Sequence, residues 1–383
     1  MTGGQRLPDR PMDEIASGDA NIAADPRAAL PASDFDARFD RLVEAVQTNC
    51  HITDARHARN MTMCTYLLEM RELYRWERGF ALTAVLPRAE VGPWIARREA
   101  SWAAFEEAEY QGLPLEQGLV DPFDVETINR TLVPRDLVYG AGIGRFGKPQ
   151  FFLGGLDREE WRDGVRVLVS RREYARDLAP ALAALRADTI YVRLESLQRA
   201  LWERVEAWEH RRAHGALKSA LDAHGFDADP PAALESMAAA EAETLILHEL
   251  GEHRAARELS PAWERMLGGF TRRKAELFAR AARDHLADCT TTLPALLERD
   301  AAPSLHFWFS GFDGMRRELF PRLATAYEEW RGGDRGRALS AGVAAGAVHW
   351  RSLCVRTLKL HETLGADAES AVEMLAASAG SRL

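Results

Sequence analysis

Lysine, cysteine and long apolar runs are all scarce in this chain, and each shortage narrows what the protein can be. Lysine occurs only at positions 148, 218, 274 and 359, so nearly all the basic charge is arginine. The formal net charge is −9 over 383 residues. Such a chain lacks the basic face that generic nucleic-acid binding requires. Arginine for lysine, with abundant alanine, has the pattern of a GC-rich coding bias, so arginine content alone assigns no function. The four cysteines, Cys50, Cys64, Cys289 and Cys354, contain no C-x-x-C pair. Four scattered thiols make no disulfide framework, and a reducing compartment is the simpler reading. No apolar run approaches the 18 residues of a membrane span, and residues 1–33 lack the apolar stretch of a secretory signal. The expectation is a cytoplasmic protein with no nucleic-acid and no membrane partner.

Hydrophobic residues make up 46 % of the chain, enough for a large core in one to three domains. Residues 1–33, rich in Gly, Pro, Asp and Ala without periodicity, read as disordered. From Asp34 the spacing is helical: Phe35, Phe39, Leu42, Val43 and Val46 recur on one face. Asn49, Cys50 and His51 read as a break, with Thr53 capping a second helix from Asp54 to about Glu77. A third helix follows Pro87. Between 135 and 193 the pattern turns to strands: Leu137–Leu153 around a glycine-rich turn, Gly164–Val169 and Thr189–Arg193. Helices return at 194, then at about 232–254, 260–290, 315–331, 335–363 and 367–378. The fold class is therefore mainly α (α+β): a large multi-helix body with a small antiparallel β-sheet insertion near 135–193. The expected regions are 34–134 and 194–383, helical and packed together, with the β-rich segment between them.

The densest chemistry lies at Thr244–His253, with His248, Glu249, Glu252 and His253 inside a helix. It misses both common zinc-protease patterns, because Glu252 stands where H-E-x-x-H needs histidine and Glu249 where H-x-x-E-H does. Residues four apart share a helix face, so His248 pairs with Glu252, with Glu241 nearby on the same side. On the next helix, Phe278, Ala281, Ala282, His285 and Cys289 form one stripe, and Asp288 flanks His285. Helical bundles build metal sites from such inward imidazoles and carboxylates, usually as Glu-x-x-His. The alternatives are a solvated face with i,i+4 pairs for His248 and a hydrogen-bonded core histidine for His285.

Three further groups carry weaker signals. Cys50, His51, Asp54 and His57 crowd a helix start, where a thiol with a lowered pKa becomes a nucleophile. Glu72 falls in an apolar stripe, as a buried ion-pair member beside Arg71 and Arg75 or as a metal ligand. Gly142, Gly144 and Gly147 match G-x-G-x-x-G, but the chain continues as a strand where a dinucleotide site needs a helix. The reading is a glycine-rich hairpin and no nucleotide cofactor, the weaker alternative being backbone amides that bind an anion. The aromatic run Leu305–Phe312 reads as core, with His306 inside it.

The segments Asn49–His57, Leu247–Glu252, His306–Phe309 and Gly314–Pro321 resemble a bacterial family of conserved hypothetical proteins. The resemblance spans most of the chain after residue 34. It implies no activity, cofactor or catalytic residue.

The leading expectation is a helical metalloprotein holding iron, manganese or zinc, open to oxidoreductase or hydrolase chemistry. Its candidate ligands are His248, Glu252, His285 and Asp288, with Glu72 and His51 as outside candidates. One alternative is a non-enzymatic interaction or assembly protein, as a homo-oligomer or with a protein partner. Another is a metal-free enzyme with a Cys50 nucleophile assisted by His51 or His57.

Overall fold

The computed structural model describes residues 34–144, 147–209 and 214–383. The disorder expected for residues 1–33 lies outside the described residues.

Three helices open the fold: α1 (Asp34–His57), α2 (Met63–Glu77) and α3 (Arg88–Trp102). The break expected at Asn49 is absent; α1 runs on to His57, and Thr62, not Thr53, caps α2 by accepting from the Thr65 amide at 3.3 Å. The polar residues that read as a break bond sideways instead. Asn49 exchanges two hydrogen bonds with the Gln111 backbone, Cys50 donates to the Phe151 carbonyl, and Thr53 meets the Tyr110 hydroxyl. The helix expected from Asp54 to about Glu77 is therefore divided between α1 and α2.

A short hairpin, β1 (Leu113–Leu115) and β2 (Gly118–Val120), leads to α4 (Val125–Leu132). Five strands follow: β3 (Leu137–Ile143), β4 (Pro149–Arg162), β5 (Val165–Arg176), β6 (Ala183–Arg186) and β7 (Thr189–Arg193). Their order is β3-β4-β5-β7-β6. The neighbours are antiparallel except β5 and β7, which run parallel because β7 inserts between β5 and β6. Asp163 and Gly164 join β4 to β5, both with positive φ, the conformation a two-residue hairpin turn requires. Register shifts near Gly154 and Leu156 bend β4, and bulges of this kind curl a sheet.

Both faces of the curled sheet are covered over β3, the first half of β4 and β7, where the strands are near-continuously apolar, while the second half of β4 is charged and alternates half-buried with exposed. On the outer face, Tyr139, Ala141, Phe151 and Leu153 pack with Leu42, Val46 and Cys50 of α1. Also outward, Val165, Val167, Val169, Ile190 and Val192 pack on the C-terminal helices. The concave face holds Val138, Phe152, Leu168 and Tyr191 with Val125 of α4 against them, while Ile128 and Leu132 of α4 join the α1 side. Asn129 of α4 donates to the Tyr139 carbonyl at 2.7 Å and accepts from the Tyr139 amide at 2.8 Å.

The C-terminal body comprises α5 (Leu194–Glu209), α6 (Ala216–Ala223), α7 (Pro230–Leu259), α8 (Pro261–Gly269) and α9 (Arg273–Ala287). A π-helical turn (Asp288–Thr292) links α9 to α10 (Leu293–Glu298). Then come α11 (Ala302–Ser310), α12 (Gly314–Leu319), α13 (Pro321–Arg331), α14 (Arg337–Leu364) and α15 (Ala368–Ala377). Asp229 caps α7 by accepting from the Ala232 amide, and Pro230 suits its first turn. The helices expected at 260–290 and 315–331 are each divided, the first at 270–272 and the second before Pro321. The main core gathers Trp263, Phe278, Phe320, Leu323 and Trp350, all fully buried. No helix among the described residues is long and apolar enough to cross a membrane.

Candidate functional site

His248 and Glu252 share the inward face of α7, as their i,i+4 spacing requires. Gly251 lies between them at the closest approach of α7 and α9. A Cβ there would stand 2.7 Å from the Ala287 carbonyl oxygen, so only glycine lets the helices come this near. The contact brings the π-helical turn against α7 and places Asp288 Oδ1 2.9 Å from His248 Nδ1. On the other side of the ring, Nε2 lies 3.5 Å from Glu252 Oε1. Three predicted residues thus converge.

Guanidinium groups close the cluster. Arg316 bonds Asp288, and Arg283 donates to Glu252 at 2.8 Å and to Glu264 at 3.1 Å. Burial would lower the His248 imidazole, but the Asp288 and Glu252 carboxylates outweigh it and hold the ring protonated well above its usual range. Burial opposes ionisation of Glu252, yet His248 and Arg283 hold its carboxyl down at about 2. His248 and Arg316 likewise hold Asp288 below the usual carboxylate range against its own burial. The arrangement is an ion-pair network in which His248, Arg283 and Arg316 surround Glu252 and Asp288, with Glu264 and Asp284 also on Arg283.

The other predicted ligands lie elsewhere. His285 is fully buried, stacks on Trp350 at 4.5 Å and meets the Arg316 carbonyl through Nε2 at 3.1 Å. Burial, then Arg316, lowers its pKa to about 3, so it is a neutral core ring. Glu72 accepts from Arg71 at 2.8 Å and Arg75 at 3.0 Å within α2. His51 on α1 sits 2.9 Å from an Arg98 guanidinium nitrogen, with burial and Arg98 lowering it to about 4. Among the described residues, no three His, Cys, Asp or Glu side chains are placed together to hold a metal ion. In the α7–α9 cluster, arginines occupy the positions from which a cation would approach the carboxylates.

A second charged cluster, missed from the sequence, lies where α1 meets the sheet. Asp54, Asp177, Glu173 and Arg193 are all at most 3 % exposed. Lys148 Nζ stands 3.6 Å from both Asp54 and Asp177, and Arg193 is 3.7 Å from Asp177. Glu173 accepts from Arg193 at 3.0 and 2.6 Å. Burial and Asp177 push the Asp54 carboxyl up to about 7 against the pull of Lys148. Arg193 and Arg176 overcome burial to hold Glu173 at about 2. Cys50 lies beside this cluster, and burial with Asp177 and Asp54 drives its thiol well above the ordinary range. That environment opposes the thiolate a nucleophile needs. One signal was available: Lys148 is one of four lysines in a chain that mostly writes arginine, and a compact ammonium fits between two carboxylates.

The glycines at 140, 142 and 144 have a separate explanation. They alternate on one side of β3, and Cβ atoms there would collide with Phe152, Arg186 and Gln150 respectively. They admit large side chains to the concave face.

An apolar stripe is exposed on α2. Met63, Leu67 and Leu68 on α2 are 70 %, 46 % and 53 % exposed. Cys64 lies among them and is exposed, whereas Cys50, Cys289 and Cys354 are buried.

Over residues 41–193 the chain matches the N-terminal domain of a family of unknown function (DUF6866), and over residues 198–379 its C-terminal domain. The chain belongs to the DUF6866 family. No curated protein and no solved structure matches it. The two DUF6866 domains meet where β7 passes directly into α5, and ion pairs sew this joint. Arg199 of α5 reaches Glu69 of α2 at 3.1 Å, and Arg71 of α2 bonds Glu206 of α5. Glu243 of α7 takes Arg158 and Arg162 from the far end of β4. In this DUF6866 chain, ion pairs that are mostly half-exposed therefore join elements of both domains.

Proposed function

We propose that this chain is a non-enzymatic interaction protein that associates with a second copy of itself through the exposed face of α2. The observation that carries the reading is the stripe Met63, Cys64, Leu67 and Leu68 on two successive turns. Burying one such aliphatic side chain stabilises by about 1.5–3 kcal/mol, so a helix leaving three in water is poised for a partner. A two-fold interface needs a self-complementary patch. Opposite charges flank the stripe at both ends, Arg59 with Glu106 and Arg71 with Glu206. The convergent histidine and carboxylates, by contrast, are saturated by arginine.

Sedimentation of the full chain at micromolar concentration, beside Leu67→Asp, tests the reading. A dimer that becomes a folded monomer on substitution supports it, and a bismaleimide should join two copies at Cys64. A wild-type monomer that resists cross-linking overturns it.

A second reading rests on the convergence at α7 and α9. With Arg283 displaced, His248 Nε2 and Glu252 would face an iron, manganese or zinc ion while Asp288 orients the ring through Nδ1. Elemental analysis of protein purified without chelator, beside His248→Ala, decides it: stoichiometric metal lost in the variant supports the ion, and metal-free protein after reconstitution rejects it.

A further inference from the structure

A groove of about 240 Å³ opens beside the N-terminal half of α1, between the β1–β2 hairpin and the α4–β3 connection. Its floor is apolar: Phe39 and Leu42 from α1, Leu115 from β1, Leu132 from α4 and Leu137 from β3. Its rim is basic, with Arg38, Arg41 and Arg135 against one carboxylate, Glu116. Arg135 is fixed by Glu116 at 2.8 Å and by the Thr131 carbonyl at 3.0 Å. Arg41 is exposed and forms no ion pair with any described residue. This positive rim stands out in a chain of net charge −9.

We infer that this groove binds a single-chain amphiphile with a carboxylate head, the chain on the leucine floor and the head at Arg41 and its neighbours. The volume sets the class. A groove of this size suits a short acyl chain and not a folded peptide. The chemistry sets the orientation. An open apolar floor gains from covering by hydrocarbon, and a guanidinium matches a carboxylate through two parallel hydrogen bonds. Groove and α2 face are separate observations, and this inference does not depend on self-association.

Titration calorimetry of the full chain with decanoate below its micellisation concentration tests it. The expected result is saturable one-to-one binding, weakened at least tenfold in Arg41→Glu and at least tenfold when decanol replaces decanoate. Arg41 is exposed, so the variant should fold as wild type, which circular dichroism verifies. Leu115→Trp, which fills the floor from a partly exposed position, should abolish binding. Three outcomes overturn the inference: no saturable heat, equal binding by decanol, or binding unchanged in both variants. Binding to anionic vesicles without binding to monomeric decanoate also overturns it, because the ligand would then be a membrane surface.

Discussion

Two buried charge networks hold this molecule, and they are built on opposite plans. At α7 and α9 the partners touch: His248 with Asp288 at 2.9 Å and Arg283 with Glu252 at 2.8 Å. At the sheet the contacts of Lys148 stand off at 3.6 Å, and neither Asp177 oxygen nor Lys148 Nζ has a hydrogen-bond partner among the described residues. The first network is edged by solvent, with His248 about a quarter exposed; the second is nearly sealed. Tight pairing prevails at the solvent-edged network, whereas the sealed one combines a tight Arg193–Glu173 pair at 2.6 and 3.0 Å with the loose contacts of Lys148 and Asp177. The sealed network depends more on every member being present, because an orphaned charge there has no solvent to turn to.

The sharpest way to break this comparison is to remove one cation from the sealed side. Arg193→Ala leaves Glu173 buried without its main partner, takes one of two cations from Asp177 and should cost about 3–5 kcal/mol in urea unfolding. A loss no larger than that of Arg283→Ala, at the partly solvated network, would refute the contrast. Next in size is Gly251→Ala, which forces α7 off the Ala287 carbonyl and should cost about 1–3 kcal/mol. It should also lower the imidazole pKa of His248, read by NMR titration, since the Asp288 contact depends on that approach. An unchanged pKa would mean that the glycine does not set the geometry.

The pH dependence separates the networks more gently. Folding raises the His248 pKa above its usual 6.5. Its contribution is complete below pH 6.5 and is lost as the pH climbs through the raised folded value. Asp54 has the same sign over a different window: its carboxyl moves from 3.8 to about 7, so stability falls as the pH rises from the first value through the second. Stability measured from pH 4 to 9 should therefore flatten between about 4 and 7 in Asp54→Asn and above 6.5 in His248→Gln. Identical profiles in both variants would remove the distinction. The smallest effect concerns the thiols: one of four, Cys64, should react with a thiol reagent in the native protein. Reaction of Cys50 at a comparable rate would restore it as a nucleophile.

Much of this architecture was legible, for local reasons. The helical stripe after Asp34 and the strand-rich stretch from 137 to 193 are written in neighbouring residues, whereas the Asp163–Gly164 turn was not read, Gly164 being assigned to a strand. The pairing of His248 with Glu252 follows from one turn of helix. Asp288 was a candidate, but its separation from His285 was not foreseen. The π-helical turn begins at Asp288, and 3.6-residue periodicity does not anticipate it. The break expected at Asn49 failed because its polar side chains serve distant backbone, which no local rule weighs. The sealed network was illegible for the same reason: Asp54, Lys148, Asp177 and Arg193 come from separate elements and meet only once the sheet has curled onto α1.

The joint between the two family domains has a consequence for modularity. Arg193 ends β7 and Leu194 begins α5, so no slack separates the halves. Arg193 anchors Glu173 within the sheet, and Ser196, one turn into α5, donates to the same carboxylate. A cut or a foreign splice at this point would strip a buried acid of its donors. The halves should therefore unfold as one unit, not as separable modules.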